Sequence, residues 1–237
     1  MSWKSPLPNW NTVAGRVLDT FFAAVHEALP SYDLPLTVFG STPIQLCLDE
    51  AFTSADVDIM VLDEDERLRE IAIVAGIGRA GLNPTFGVQI CPPHFFRTTP
   101  HYLQRAHAET RHGLRVIVPH PRDILVGKLH RARTDEQMRL VSKDRRAFQR
   151  VRELCDGHPT KDEFLEDLIS CEPDFRPVYD GGVNVFRLNV EDALSEVYGH
   201  AFDLQHDILD ARKEERAPAA EHNIVSEMIR QLRPSRE

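Results

Sequence analysis

Residues 36–62, LTVFGSTPIQLCLDEAFTSADVDIMVL, constrain the fold of this 237-residue chain more than any other stretch. A β-prone run at 36–39 ends at Gly40-Ser41, and an apolar segment at 43–48 is predicted to be a helix. A second β-prone run follows at 57–62. The order strand, turn, helix, strand predicts an α/β fold.

The pair Asp56 and Asp58 stands where the second run begins. Side chains alternate across a strand, so both carboxylates are expected on one face, where they can share one or two divalent cations. Magnesium prefers one or two carboxylates, several waters and the phosphate oxygens of a substrate. An isolated Asp-x-Asp is also typical of a solvated strand end, so the pair needs support from its surroundings.

The turn at Gly40 and Ser41 supplies that support. Glycine lets the backbone come close to an anion, and the N-terminus of the following helix offers unpaired N–H groups. Ser41 is predicted to cap this helix, with Pro43 in its first turn. Gly40, Ser41, Asp56 and Asp58 together predict a metal-nucleotide site.

These motifs resemble the nucleotidyltransferase superfamily, the polymerase-beta-like enzymes, whose signature is a strand, Gly-Ser or Gly-Gly, a helix, and Asp-x-Asp on the next strand. The closer resemblance is to minimal bacterial nucleotidyltransferases of the AbiEii-toxin-like type. Those carry a downstream helix of the form LLAxKL and a later Lys/Arg-Asp-x-x-Asp. The corresponding residues here are DILVGKL at 123–129 and Lys143-Asp144. The resemblance covers about residues 35–155 and implies a mixed sheet flanked by helices.

Lys128 and Asp144 extend the predicted site. Lys128 follows the apolar stripe of its helix, so its ammonium group needs a partner, which a triphosphate or a carboxylate would supply. Asp144 shares a helix face with Phe148, the face expected to pack inward. Each also has a purely structural interpretation, a surface lysine extending to solvent and an acid that favours the helix dipole.

The resemblance implies transfer of a nucleoside monophosphate from Mg-NTP to a hydroxyl acceptor, which is RNA such as a tRNA end, a protein side chain or a small molecule. Asp56 and Asp58 would hold Mg²⁺, and Gly40, Ser41 and Lys128 would bind the NTP phosphates. Asp144 would orient Lys128 or help activate the acceptor. The resemblance also points to an antitoxin as a protein partner.

Three positions depart from the family pattern and leave an alternative open. Phe52 stands where an arginine is usual, Gln89 is offered where many members have a third carboxylate, and Ala147 replaces the second acid of Asp-x-x-Asp. These departures favour a catalytically degenerate protein that binds nucleotide or a partner protein. A purely structural or interaction protein is the remaining interpretation.

Around the central stretch the sequence predicts further elements. Helices are predicted at 11–29, 64–80 and 102–109, and strands at 84–90 and 114–118. Asn189 is predicted to cap a long C-terminal helix. We therefore expect a nucleotidyltransferase-like core at 1–155 and a mainly helical extension at 156–237, which would cover the site, mediate dimerisation or bind a partner.

Composition narrows the function class. The formal net charge of −9 argues against extensive sequence-independent binding to nucleic acid, although basic residues are concentrated between 128 and 152. No apolar run is long enough to span a bilayer, and the four cysteines form no CxxC pair. A cytoplasmic protein with buried free thiols is expected.

Overall fold

The computed structural model describes residues 6–54, 56–63, 65–78, 87–99, 102–129, 142–154, 188–193 and 195–196. In chain order the helices and strands are α1 (Val13–Ala28), β1 (Leu36–Phe39), α2 (Thr42–Cys47), β2 (Asp56–Met60), α3 (Glu66–Gly78), β3 (Gly87–Cys91), a 3₁₀ turn (Pro93–Phe95), α4 (Tyr102–Arg105), β4 (His107–Arg111), β5 (Leu114–Val118), α5 (Pro121–Lys128) and α6 (Ser142–Leu154). Residues 188–193 and 195–196 are also helical. Among the described residues, no helix is long and apolar enough to cross a membrane.

The strands form one mixed five-stranded sheet in the order β3-β2-β1-β5-β4. β1 runs antiparallel to β2 and parallel to β5, β2 is parallel to β3, and β4 and β5 form an antiparallel pair. A mixed sheet with flanking helices confirms the predicted α/β class.

The described residues fall into two compact units, and the division lies within α5, between Ile124 and Leu125. The first unit contains the five strands and α1 to α4. The second contains the end of α5, α6 and the helical residues at 188–196. The predicted domain boundary at residue 155 and most of the predicted C-terminal extension lie outside the described residues.

The sheet has two chemically different faces. One face contributes alternate residues of its strands, such as Val38, Ile59 and Val116, to the main core, where α1 and α3 supply Phe21 and Leu68. Burying these apolar side chains stabilises the fold by about 1.5–3 kcal/mol for each one. The opposite face contributes Phe39, Met60 and Ile117 to a smaller core beside α4 and the start of α5. Asp56 and Asp58 belong to this second face, because they lie four and two residues before Met60.

Most predicted helices and strands are present within a few residues of their expected bounds, but one predicted helix was wrong. A helix was expected at 102–109, whereas α4 ends at Arg105 and His107–Arg111 is an edge strand. β4 and β5 are joined by His112 and Gly113, whose φ angles are 47° and 77°. Positive φ at both central residues is the geometry of a two-residue hairpin turn, so the tertiary pairing overrides any local helical preference.

This hairpin is anchored to α1. Arg111 Nε donates to Asp19 Oδ1 at 3.2 Å, and His112 Nε2 lies 3.1 Å from the same oxygen. The Arg111 guanidinium carbon also lies 4.4 Å from the centre of the Trp10 ring. Burial alone raises the pKa of Asp19, but the hydrogen bonds and charges of Arg111 and His112 outweigh it and hold the pKa below its ordinary value of 3.8.

Replacing Asp19 with Asn should therefore lower stability in a pH-dependent way. A carboxylate whose folded pKa is depressed contributes stability above its unfolded pKa and loses it as the pH falls through the folded pKa. We expect Asp19→Asn to reduce the free energy of unfolding by about 0.5 kcal/mol at neutral pH, discounted for exposure. The difference from wild type should shrink progressively below pH 3.8. Urea unfolding at several pH values across this range measures the difference in free energy of unfolding. Asp33→Asn, at an exposed position, is the control. A difference that does not change with pH contradicts the interaction of Asp19 with Arg111 and His112.

Candidate functional site

The turn after β1 and the second aspartate of β2 are built against each other. Phe39 is paired with Asp58 across the antiparallel strands, which brings Gly40 beside the Asp58 side chain. Gly40 has a φ of +67°, and a Cβ added there would lie 1.9 Å from Asp58 Oδ2. Any side chain at Gly40 would therefore displace the carboxylate, and only glycine allows the approach without strain.

Asp56 shares the face and the partial exposure of Asp58. The hydroxyl of Ser54 donates to Asp56 Oδ1 at 2.9 Å, which orients this carboxylate from the loop before the strand. The prediction that both carboxylates project from one face is therefore consistent with the strand register.

β3 completes the polar end of this face. In the parallel pairing of β2 and β3, Gly87 is the partner of Asp56 and Gln89 is the partner of Asp58. Gln89 is exposed, and a Cβ at Gly87 would meet no atom of the described residues within 4 Å. Among the described residues, β3 therefore places no side chain beside Asp56, whereas it places an amide beside Asp58.

The donor chemistry of this end fits magnesium. Two carboxylates satisfy the protein's share of a hexacoordinate Mg²⁺ whose other ligands are waters and phosphate oxygens. No group of three or more His, Cys, Asp or Glu side chains in the described ranges is placed to bind a metal ion. A cation held by Asp56 and Asp58 would take its remaining ligands from groups of other kinds, such as water, phosphate oxygens or neutral side-chain oxygens.

Two cysteines lie among the described residues, Cys47 at the end of α2 and Cys91 at the end of β3. Burial, followed by the charges of Asp58 and Asp56, raises the pKa of the Cys91 thiol to about 12, and burial raises that of Cys47 to about 12. Both cysteines are free, as predicted, although Cys47 is only partly buried. Cys155 and Cys171 lie outside the described residues.

Ser41 lies at the predicted N-cap position of α2, but its side chain does not cap the helix. It is the N-cap residue of α2, which begins at Thr42 with Pro43 in its first turn, yet its side chain makes no capping hydrogen bond. Its backbone angles, φ −88° and ψ −13°, are helical, whereas a capping serine usually has extended angles. The backbone oxygen of Ser41 instead accepts from the N–H groups of Ile44 and Gln45.

Lys128 and Asp144 meet in the second unit. Lys128 Nζ donates to Asp144 Oδ1 at 3.1 Å, and the two side chains are 4% and 2% exposed. The ammonium group therefore has the carboxylate partner that the sequence predicted as one of two choices. The structure describes this pair and the Asp56/Asp58 pair each within its own unit, so a composite site stays a prediction. Lys128 is buried at the end of α5, so it is not part of an exposed basic surface within the stretch 128–152.

Two polar arrangements escaped sequence reasoning. Asn189 was predicted to be a helix cap, but it is fully buried within its helix and its amide donates to Leu129 O at 3.1 Å. At the start of α5, Arg105 donates to both oxygens of buried Asp123, with Nε 3.1 Å from Oδ2. Their partners are distant in sequence, so no local pattern indicates either contact.

His120 lies beside the Arg105–Asp123 pair. Its Nδ1 accepts from the backbone N–H of Arg122 at 3.1 Å, which shapes the entry into α5. Burial lowers the pKa of His120 to about 4, against the charge of Asp123, so the ring is neutral at physiological pH.

No protein family matches the chain, and no curated protein or solved structure matches it. The resemblance to nucleotidyltransferases therefore stays a prediction from the sequence motifs.

The contact between Gly40 and Asp58 predicts a stability coupling. Gly40→Ala should lower the free energy of unfolding by more than the about 1–2 kcal/mol expected for a left-handed backbone alone, because Cβ also collides with the carboxylate. In an Asp58→Ala background the collision is relieved, so the loss should be smaller. Urea unfolding of the four proteins gives the coupling energy directly.

Gly87→Ala is the matched control for that cycle. Its Cβ meets no described atom within 4 Å, so we expect a change of at most about 0.5 kcal/mol. Equal losses for Gly40→Ala with and without the Asp58 carboxylate would show that the two groups do not touch.

The buried Lys128–Asp144 pair predicts that single and double replacements do not lower stability additively. Removing one partner takes away the contact at 3.1 Å that compensates the burial of the other charge, so Lys128→Met or Asp144→Asn should each lower stability by about 3 kcal/mol. The double variant Lys128→Met/Asp144→Leu should lose much less than the sum. Glu196→Gln tests a partly exposed pair in the same unit, with Arg145 Nε 3.2 Å away, and should change stability by at most about 1 kcal/mol. Additive single losses in chemical denaturation would contradict the pairing.

Proposed function

We propose that the protein is a magnesium-dependent nucleotidyltransferase that transfers a nucleoside monophosphate from an NTP to a hydroxyl acceptor. The observation that carries this proposal is the approach of Gly40 to Asp58. A left-handed glycine turn lies directly beside a carboxylate, and a second carboxylate, Asp56, shares the same strand face. A site for a metal-bound nucleotide needs a phosphate-binding turn next to the carboxylates that hold the metal.

In the proposed reaction the acceptor oxygen bonds to the α-phosphorus while the bond to the pyrophosphate leaving group breaks. Asp56 and Asp58 would hold Mg²⁺, which when bound neutralises charge on the reacting phosphoryl group. Ser54 holds one oxygen of Asp56 and so limits the rotation of that carboxylate. Gly40, because it has no Cβ, leaves its backbone accessible to a phosphate, and Ser41 is proposed to take part in the same contact.

Lys128 and Asp144 are proposed to assist the transfer reaction. The 3.1 Å contact of Lys128 Nζ with Asp144 Oδ1 supports the prediction that Asp144 orients Lys128. The action of Lys128 on a triphosphate, and any action of Asp144 on the acceptor, stay predictions. Acceptors of three kinds, RNA such as a tRNA end, a protein side chain or a small molecule, fit the reaction equally well, and an antitoxin partner belongs to the same proposal.

A second candidate is a nucleotide-binding or partner-binding protein without catalysis. The observation that favours it is the pairing of Gln89 with Asp58, because an amide next to the carboxylates cannot act as a general base. The two functions share the site and differ only in turnover.

Incubation with each of the four labelled NTPs, Mg²⁺ and either total RNA or cell extract distinguishes them. We expect pyrophosphate release that falls by about 10²–10³-fold in Asp58→Asn and Asp56→Asn, since each removes a group that places charge at the reacting phosphate. Asp63→Asn, an exposed aspartate just after β2, is the matched control and should stay within about twofold of wild type.

The alternatives give different results in the same experiment. Magnesium-dependent NTP binding without pyrophosphate release supports the binding protein. Nucleotide affinity that is unchanged in both Asp56→Asn and Asp58→Asn contradicts the proposed site altogether.

A further inference from the structure

Gln89 has a defined place beside the carboxylates. β3 is an edge strand paired only with β2 among the described strands, and Gln89 is the in-register neighbour of Asp58. In-register residues of paired strands have their Cα atoms about 4.8 Å apart and their side chains on the same sheet face. The amide and the Asp58 carboxylate therefore leave the sheet side by side.

The other residues of β3 on this face offer no competing ligand. Gly87 has no side chain, and Cys91 is buried and offers only sulfur, which magnesium does not prefer as a ligand. Gln89 is therefore the exposed polar side chain that β3 contributes beside Asp56 and Asp58. Its carbonyl oxygen is the type of neutral ligand that hard cations accept together with carboxylates.

We propose that Gln89 supplies a neutral oxygen to the cation held by Asp56 and Asp58, so that the protein's ligand set carries two negative charges and one amide. This inference rests on the proposed function of the same site. Two carboxylates balance the charge of one divalent cation, whereas a third would leave an excess negative charge facing the phosphates of a nucleotide. The amide adds an oxygen without that repulsion.

The charge argument predicts opposite effects of two substitutions. Gln89→Glu adds a third carboxylate and should tighten binding of the cation alone by about tenfold or more, because affinity for hard cations follows the number of charged ligands. Gln89→Met keeps the length of the side chain but removes the oxygen, and should weaken binding by about threefold or more. Gln89 is exposed on an edge strand, so both variants are expected to fold.

The test uses the full chain without nucleotide and Mn²⁺ as the probe, since Mn²⁺ accepts the same oxygen ligands as Mg²⁺ and free Mn²⁺ is counted by electron paramagnetic resonance. Gln104→Glu, the same change at an exposed position on α4, controls for net charge. A second measurement is the rise in melting temperature on adding Mn²⁺, which should be larger in Gln89→Glu than in wild type or Gln104→Glu.

The outcomes separate this inference from the proposed function. Tighter binding in Gln89→Glu together with weaker binding in Gln89→Met supports the amide ligand. If Asp58→Asn abolishes binding while either Gln89 variant stays within twofold of wild type, Gln89 is not a ligand and the carboxylate site stands. If Asp58→Asn binds Mn²⁺ as wild type does, both the site and the role of Gln89 are wrong.

Discussion

The antiparallel pairing of β1 with β2 is the constraint on which the polar end of the sheet depends. It places Asp58 opposite Phe39, so the chain has to turn directly beside a carboxylate. A residue with a Cβ at this position would displace the Asp58 carboxylate, because the Cβ would lie 1.9 Å from Asp58 Oδ2. The glycine and the aspartate are thus a single structural unit, although they lie on different strands.

Because side chains alternate along β2, one face of the sheet carries core residues and the other carries the two carboxylates. Val57 and Ile59 enter the main core, while Asp56 and Asp58 project from the other face. Slipping β2 by one residue would turn both carboxylates into the apolar core, where an unpaired charge costs several kcal/mol, on the order of the whole stability of a domain. The hydrophobic residues therefore fix the register that presents the acids.

In the second unit, two opposite charges are buried against each other. A buried ion pair such as Lys128–Asp144 often contributes little net stability, because desolvation offsets the attraction between its members. Its value lies in the orientation that each charge imposes on the other. Asn189 adds a hydrogen bond to the carbonyl of Leu129, next to the lysine, so a residue beyond the recognisable motifs helps to hold the end of α5.

The sequence by itself determined the features that depend on neighbours along the chain: the glycine turn, the alternation of Asp56 and Asp58, and the amphipathic helix α1. Only the tertiary structure decided which distant groups meet. Strand β4 was missed because its pairing with β5 and its anchor at Asp19 lie outside any local pattern. Gln89 lies beside Asp58, and Asn189 contacts Leu129, only because strand register and helix packing bring remote segments together. Local propensity acts over a few residues, whereas burial and hydrogen bonding act across the whole fold.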